Sequence, residues 1–166
     1  MKVWQLATGA AMALAISAGS AQAQAFGVQA NYSNDFDFGI GARIEYGLPN
    51  LITSSGPLAS TFLIGSFDFF FPDCGGGDCS YMEGNLNLAV PVGTSSLRPY
   101  AGAGLNYARV SVDTPFGDAS SSEIGLNVLG GLRFNLGGMS TYGEARYELG
   151  GGEQFVITFG VLFGGS

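Results

Sequence analysis

Hydrophobic and polar residues alternate along most of this chain with a period of two, the pattern of β-strands whose two faces meet different surroundings. In segment 36–48, apolar residues share one face, while Asp, Gly, Arg and Glu share the other. The alternation recurs in segments 123–136 and 154–163. Because these runs exceed the roughly 5–6 residues of an ordinary strand, the sequence predicts long strands with a continuous apolar face.

Eight such segments can be delimited, and turn signals rich in Gly, Pro, Asn, Asp and Ser separate consecutive ones. They are 25–33, 36–48, 58–71, 81–92, 97–112, 123–136, 141–149 and 154–163. The third is ambiguous, because placing Asp68 on the polar face takes Phe62 and Ile64 there as well, which suggests a bulge. We expect an all-β chain with a single eight-stranded domain.

The first residues have the pattern of a secretory signal peptide. Lys2 precedes a short Ala-rich apolar run at 6–16, and small residues then lead to an A-x-A cleavage pattern at 21–23. A second A-x-A pattern leaves the cleavage position open by two residues. A transmembrane anchor needs about 20 apolar residues, more than this run offers. We predict that 1–23 is a signal peptide and 24–166 the barrel.

Long antiparallel strands with one apolar and one polar face occur in two architectures. A soluble, lipocalin-like barrel buries its apolar face inside, whereas a transmembrane β-barrel turns that face outward to lipid. Here the polar faces are rich in Gly, Asn, Arg and Glu, which would make a poor soluble core. Aromatic residues also gather near the strand ends, as they do at membrane interfaces. These features favour an eight-stranded antiparallel transmembrane β-barrel.

Composition excludes several functions. The net charge of −7 makes nucleic acid an unsuitable partner. The absence of His removes Ser-His-Asp hydrolysis, Cys-His chemistry and His-ligated metal sites. A glycosidase would need its carboxylates in an open cleft, and the serines at 120–122 beside Glu123 lack a base. We therefore expect no enzyme, no cofactor and no metal site.

An eight-stranded barrel has an interior only wide enough for side chains to fill. Five charged residues have inward parity and similar predicted depth: Arg43, Glu45, Arg133, Glu144 and Arg146. Unpaired, any of them would be costly to bury, whereas paired and hydrogen-bonded they would plug the lumen. We expect a filler network of charges, and a gated ion path is the alternative.

The connection between the sixth and seventh segments predicts one particular pair. A two-residue type II′ turn takes Gly first, and Gly138-Met139 fits it. The register that follows from this turn places Arg133 directly opposite Glu144, with both side chains inward.

Glycines at 39–41 and 102–104 have the Gly-x-Gly spacing of phosphate-binding loops. They lie mid-strand with no helix following, so that function fails its structural context. We expect inward glycines to leave room for a bulky neighbour such as Tyr100 or an arginine.

Cys74 and Cys79 bracket three glycines and are the only cysteines. In an exported protein two cysteines imply an oxidised pair, and the glycines supply the backbone freedom that a tight ring needs. A cation held by the two thiolates with Asp73 and Asp78 is the alternative, which an oxidising compartment disfavours. We predict a disulfide at the tip of an exposed hairpin.

The segment Leu97-Arg98-Pro99-Tyr100-Ala101-Gly102-Ala103-Gly104-Leu105-Asn106-Tyr107 resembles a central strand of the outer-membrane β-barrel domain family, the small OmpA/OmpX-like barrels. Segments 144–147 and 159–163 are similar to the family's last two strands. The resemblance implies an outer-membrane location, periplasmic termini, surrounding lipid, and recognition of the final strand by barrel-assembly machinery. That recognition would use Phe159, Val161 and Phe163. Family members usually end on the aromatic residue, whereas residues 164–166 follow it here.

The role expected from this reasoning is structural or surface-interactive: envelope integrity, adhesion or lipid contact. A narrow conduit for ions or a small apolar solute is the alternative. Barrel families that deacylate or transfer lipid chains are expected to use His, which is absent. Arg109 has lipid-facing parity near the outer rim, so it could contact an anionic lipid headgroup or be a solvated rim residue. The sequence specifies no surface ligand.

Overall fold

Eight antiparallel strands pair in sequence order and close into a barrel through contacts between the first and the last. They are β1 Gln24–Ser33, β2 Asp37–Gly47, β3 Phe62–Phe70, β4 Asp78–Pro91, β5 Arg98–Thr114, β6 Gly117–Leu136, β7 Met139–Leu149 and β8 Gln154–Phe163. A 3₁₀ turn, Pro57–Ser60, lies between β2 and β3. The predicted all-β fold and number of strands are confirmed.

The structure, a computed structural model, describes residues 24–73, 78–92, 97–114, 117–150 and 153–164. The predicted signal peptide, 1–23, and Cys74 lie outside the described residues. We call the end that holds Gln24 and Phe163 the terminal end, and the opposite end, which holds the β1–β2, β3–β4, β5–β6 and β7–β8 connections, the far end. No helix among the described residues is long and apolar enough to cross a membrane.

The two faces of the strands separate apolar from polar residues as predicted. On β1, Phe26 and Val28 point outward and are more than half exposed, whereas Gln29 and Asn31 point inward and are buried. On β8 the burial alternates in the same way, and Phe159 is exposed. The barrel therefore turns its apolar face outward and fills its lumen mainly with polar side chains.

The predicted bulge in the third strand is wrong. The pairing of β3 with β2 and β4 runs without interruption over all of β3. Phe62 and Ile64 share the inward face with Asp68 and pack there with Tyr100 and Leu129. The lumen accepts apolar side chains as well as polar ones, so no change of parity is needed.

The turn between β6 and β7 also differs from the prediction. Its two central residues are Gly137 and Gly138, with φ of 60° and 87°, and Leu136 pairs with Met139. A type I′ turn needs positive φ at both central residues, which Gly-Gly supplies without strain. The turn therefore lies one residue earlier than predicted.

This earlier turn shifts the register of the two strands by two residues. Arg133 lies opposite Tyr142, and Glu144 lies opposite Gly131, so the predicted direct pairing of Arg133 with Glu144 is wrong. A shift of two residues keeps every side chain on its own face. The inward parity of both residues is retained.

β5 and β6 are the longest strands, with 17 and 20 residues. In the described part of the chain β6 pairs with β7 only as far as Leu126, whereas its pairing with β5 continues to Thr114 and Gly117. β4 also continues past the end of β3. We call the three-stranded extension, residues 78–80, 109–114 and 117–122, the far-end ribbon. The serines at 120–122, which the sequence placed in a turn, belong to it.

Candidate functional site

Two clusters of ion pairs fill the lumen, and the first lies near the terminal end. Arg43 donates from Nη1 to Glu144 Oε2 at 2.8 Å and from Nε to Glu45 Oε1 at 2.8 Å. Tyr100 donates its hydroxyl to the same Glu144 oxygen at 2.8 Å. Arg133 Nη2 lies 2.5 Å from Glu45 Oε2. We call these four charged residues, Arg43, Glu45, Arg133 and Glu144, the terminal cluster; its formal charges balance.

Aromatic rings cover the guanidinium of Arg43, and glycines make room for those rings. Its carbon lies 4.1 Å from the centre of the Tyr142 ring and 5.8 Å from that of Tyr100. A Cβ at Gly160 would overlap the Tyr142 ring, and a Cβ at Gly131 would overlap the Tyr100 ring.

The sequence predicted such room at the Gly-x-Gly pairs. A Cβ at Gly39 would overlap the Phe70 ring, as expected, whereas a Cβ at Gly102 would meet Ala89 and the carbonyl of Leu88; the room for Tyr100 comes from Gly131 instead.

The second cluster surrounds Arg146 nearer the far end. Its Nε lies 2.8 Å from Glu148 Oε1, and its Nη2 lies 3.3 Å from Glu83 Oε2 and 3.5 Å from Asp68 Oδ2. All four side chains are buried. We call these residues the far cluster; it sets three carboxylates against one guanidinium. The five-residue network predicted from the sequence is thus divided, because Arg146 forms its ion pairs with a different set of carboxylates.

Neutral amides supply the donors that the far cluster lacks. Gln29 and Asn31 donate to Asp68 Oδ1 at 2.5 and 2.7 Å, and Asn85 donates to Oδ2 at 3.2 Å. Asn127 in turn donates to Asn85 at 2.7 Å. Sequence reasoning did not single out these amides, although all of them lie on inward positions of predicted strands.

An aromatic cap lies above the far cluster at the far end. Phe36 stacks on Tyr81 with ring centres 3.8 Å apart, and Phe70 meets Tyr81 edge-on at 5.5 Å. The sequence placed Phe36 on the outward apolar face. In the structure it precedes β2 in the turn, next to Asp37, whose φ is positive at 56°. This turn conformation takes Phe36 out of the strand alternation and lets it pack over the lumen.

Acidic residues outside the two clusters all lie at the far end. They are Asp35, Asp37, Asp73, Asp78, Asp113, Asp118, Glu123 and Glu153. Arg109 is the one basic residue at that end in the described part of the chain, and Arg98 lies at the terminal end. Asp37 and Glu123 are both exposed. The far-end surface is therefore strongly negative.

Arg109 lies on the outward face of β5, between Met82 and Ser122 on the neighbouring strands. It is exposed, and its Nη2 lies 3.4 Å from Ser120 Oγ. It lies two residues beyond the outward, half-exposed Tyr107, in agreement with the predicted outward parity, and its place at a lipid rim stays a prediction.

The three residues of the expected assembly signal lie on the outward side of β8. Phe159 and Phe163 are 51% and 54% exposed, and Val161 is partly exposed between them. They form one apolar row along the closing strand. Their recognition by assembly machinery stays a prediction.

Cys79 lies on β4 within the far-end ribbon. Its expected partner, Cys74, is outside the described residues, so the disulfide stays a prediction.

The sequence matches no protein-family model and no curated protein. Solved structures do resemble it. Neisserial surface protein A is 18% identical, with 86% of this chain and 96% of that chain covered and a TM-score of 0.60. The N-terminal β-barrel domain of Pseudomonas aeruginosa OprF is 20% identical, with 86% and 100% covered and a TM-score of 0.56. Ail of Yersinia pestis, in complex with the heparin analogue sucrose octasulfate, is 16% identical, with 87% and 96% covered and a TM-score of 0.55.

These similarities establish the fold. The chain has the architecture of the small eight-stranded outer-membrane barrels, and the resemblance to OmpA/OmpX-like barrels inferred from the sequence is confirmed at this level.

Proposed function

We propose that this protein is an outer-membrane barrel with a plugged lumen that presents the far-end ribbon as a surface for interaction outside the cell. The observation that carries the proposal is the extension of β5 and β6 beyond the strands on either side, above a lumen filled with side chains. No catalytic role is assigned. The termini would face the periplasm and the far end the exterior.

Strand lengths support the membrane placement and the protrusion together. A tilted strand crosses a bilayer with about 9–11 residues, and β1 and β8 have 10 each. β5 and β6 have 17 and 20, so their excess must leave the membrane. The outward residues agree, because they are apolar as far as Tyr107 and Ile124 and polar beyond, at Arg109 and Ser120.

Contacts that cross the lumen support the plug. Arg43 on β2 binds Glu144 on β7, and Tyr100 on β5 binds the same carboxylate. The side chains of Arg43 and Glu144 are only 1% and 2% exposed. An ion path would have to break these buried pairs, and leaving one partner alone costs about 3–5 kcal/mol. This cost favours the filler network over the narrow conduit.

Epitope insertion tests the orientation. A tag between residues 115 and 116 should bind antibody on intact cells, whereas a tag between Gly137 and Gly138 should bind only after the outer membrane is permeabilised. The reverse result would overturn the placement of the far end. The purified barrel should also show no stable conductance in planar bilayers, and a stable open state would overturn the plug.

A trimmed ribbon tests the interaction role. Replacing residues 112–119 by Asn-Gly joins Ser111 to Ser120, which already face each other across the hairpin, and keeps Val110, which packs against the aromatic cap. Cells that carry this variant should lose adhesion to protein-coated surfaces while the barrel keeps its heat-modifiable migration on gels. Equal adhesion by wild type and folded variant would contradict a surface role for the ribbon.

A further inference from the structure

A groove of about 670 Å³ lies on the outward face of the barrel, where β8, β1, β2 and β3 adjoin. The smallest outward side chains that line it belong to Ala30 and Ala42, which form its bottom. Ala30 lies between Phe159 and Ile40 on the neighbouring strands, and Ala42 lies beside Phe67. Both alanines are near the middle of their strands, and a strand crosses a bilayer with about 9–11 residues. The groove is therefore at mid-depth in the apolar belt.

The groove is closed toward the far end and open toward the terminal end. Tyr32 and Phe38, which face each other just beyond it, are 57% and 52% exposed and rise above the surface. On the other side, a Cβ at Gly65 would lie 3.1 Å from Ile44 Cγ2, so the Ile44 side chain lies over the glycine and is only partly exposed. A low path thus leads from Ala42 to the terminal end of the barrel.

The β2–β3 connection, residues 48–61, continues this path at the terminal end. It contains no charged residue, and Leu51, Ile52 and Leu58 are exposed on it. Two backbone hydrogen bonds of 2.8 and 2.9 Å join its two halves. Exposed aliphatic side chains grouped on an uncharged segment mark a contact with a membrane or a protein. The connection therefore extends the lipid-facing surface below the groove.

The lining of the groove suits an acyl chain better than a second copy of this protein. Its outward side chains are all apolar, and the side chain of Gln29 is bound to Asp68 and Tyr142 in the lumen. Association of proteins in lipid depends on close packing and hydrogen bonds, because lipid tails are as apolar as the side chains. Here the small residues lie between larger ones, which hold a second barrel away. A flexible chain can follow the bottom of the groove, which is continuous with the lipid-facing surface of the barrel.

Charge and shape together select the leaflet from which the chain comes. Asp35 and Asp37 are exposed beyond the closed end of the groove, where they repel the anionic headgroups of lipopolysaccharide. The open end meets the uncharged connection instead. We propose that the groove holds one acyl chain of a glycerophospholipid from the leaflet at the terminal end, with the glycerol region of that lipid beside residues 48–61. This lipid site goes beyond the proposed surface role and does not depend on the ribbon.

A photoreactive lipid tests the site in the wild-type protein, refolded into phosphatidylcholine vesicles. The probe is a phosphatidylcholine with a diazirine near the end of one acyl chain, and mass spectrometry identifies the peptides that it labels. Labelling at 28–30, 40–42 and 67–69 should exceed severalfold the labelling at 86–88 and 103–105, which lie in the apolar belt outside the groove. Equal labelling of the two sets would overturn the site.

Filling the groove supplies a matched comparison. Ala30→Phe with Ala42→Phe should abolish most of the excess labelling. Ala101→Phe with Ala103→Phe adds the same rings to exposed outward positions of β5 and should leave the excess unchanged. Equal loss in the two double variants would refute the site. If the filled variant does not fold, the labelling of the wild type decides.

A probe with a second photoreactive group on its headgroup tests the leaflet. Double cross-links should join the groove to residues 48–61, and double cross-links to residues 34–38 would overturn entry from the terminal end. A wild-type dimer in detergent that becomes a monomer when the groove is filled, without excess labelling by lipid, would assign the groove to a second copy and overturn the proposal.

Discussion

Removal of Glu144 from the terminal cluster is predicted to lower the free energy of unfolding more than removal of Glu144 together with Arg43. In the wild type two guanidiniums meet two carboxylates, and the Arg43–Glu144 pair is joined at 2.8 Å with both side chains almost wholly buried. Glu144→Leu leaves two cations with Glu45 alone. Breaking a buried pair in this way costs about 3–5 kcal/mol, so the free energy of unfolding should fall by about that amount.

The second substitution restores the balance of charge. Arg43→Met added to Glu144→Leu leaves Arg133 with Glu45, a pair already joined at 2.5 Å. Replacing a buried ion pair by apolar side chains of similar volume is often neutral or stabilising. The double variant should therefore be more stable than Glu144→Leu alone, with an interaction energy of roughly 0.5–3 kcal/mol between the two sites.

Urea titration in detergent micelles, followed by far-ultraviolet circular dichroism and gel mobility, measures all four corners of this cycle. A cycle of Arg133→Met with Glu144→Leu is the control, because it restores the same balance of charge although Arg133 contacts Glu45 and Arg43 is the residue that contacts Glu144 directly. The interaction energy should be smaller in the control. Additive losses in the Arg43 cycle, or a larger interaction in the Arg133 cycle, would refute the cluster geometry and the register behind it.

Three further predictions follow from single positions. Gly160→Ala should lower the free energy of unfolding by about 1–3 kcal/mol in urea, because its Cβ would overlap a tyrosine ring; Gly84→Ala, where the added atom meets open space, should not. Phe163→Ala should lower the yield of folded barrel in the outer membrane, measured by gel shift, and equal loss in Phe155→Ala would argue against a terminal signal. Arg109→Ala should leave stability in neutral lipid unchanged but weaken the stabilisation given by lipopolysaccharide, and an unchanged lipopolysaccharide effect would refute the headgroup contact.

The sequence predicted which face of its strand each residue occupies, but it did not predict how deep in the lumen each inward residue lies. The period of two assigns a face whatever the pairing, and a register error of two residues preserves that face. The inward positions of Arg133 and Glu144 were therefore correct, although their pairing was not. Depth depends on where each turn begins. The turn begins at Gly137, one residue earlier than predicted, and this was enough to place Arg133 opposite Tyr142 and not opposite Glu144.

The remaining errors came from treating the lumen as purely polar and the strand ends as turns. Phe62 and Ile64 suggested a bulge only because apolar side chains were not expected inside. The polar segment 113–122 suggested a turn. In the structure its Asp and Ser residues lie on β5 and β6, in the part of these strands that extends beyond the barrel. Alternation signals a strand only where the two faces meet different surroundings, and in the ribbon they do not.

The distribution of charge bears on the choice between the plugged lumen and the ion path. The terminal cluster is balanced, whereas the far cluster sets three carboxylates against one guanidinium, and the acids of the far end lie above it. A cation drawn to this end meets the stacked rings of Phe36 and Tyr81 before it reaches the far cluster. The negative charge of the far end, together with the aromatic cap, favours binding of a cation at the surface over its passage through the lumen.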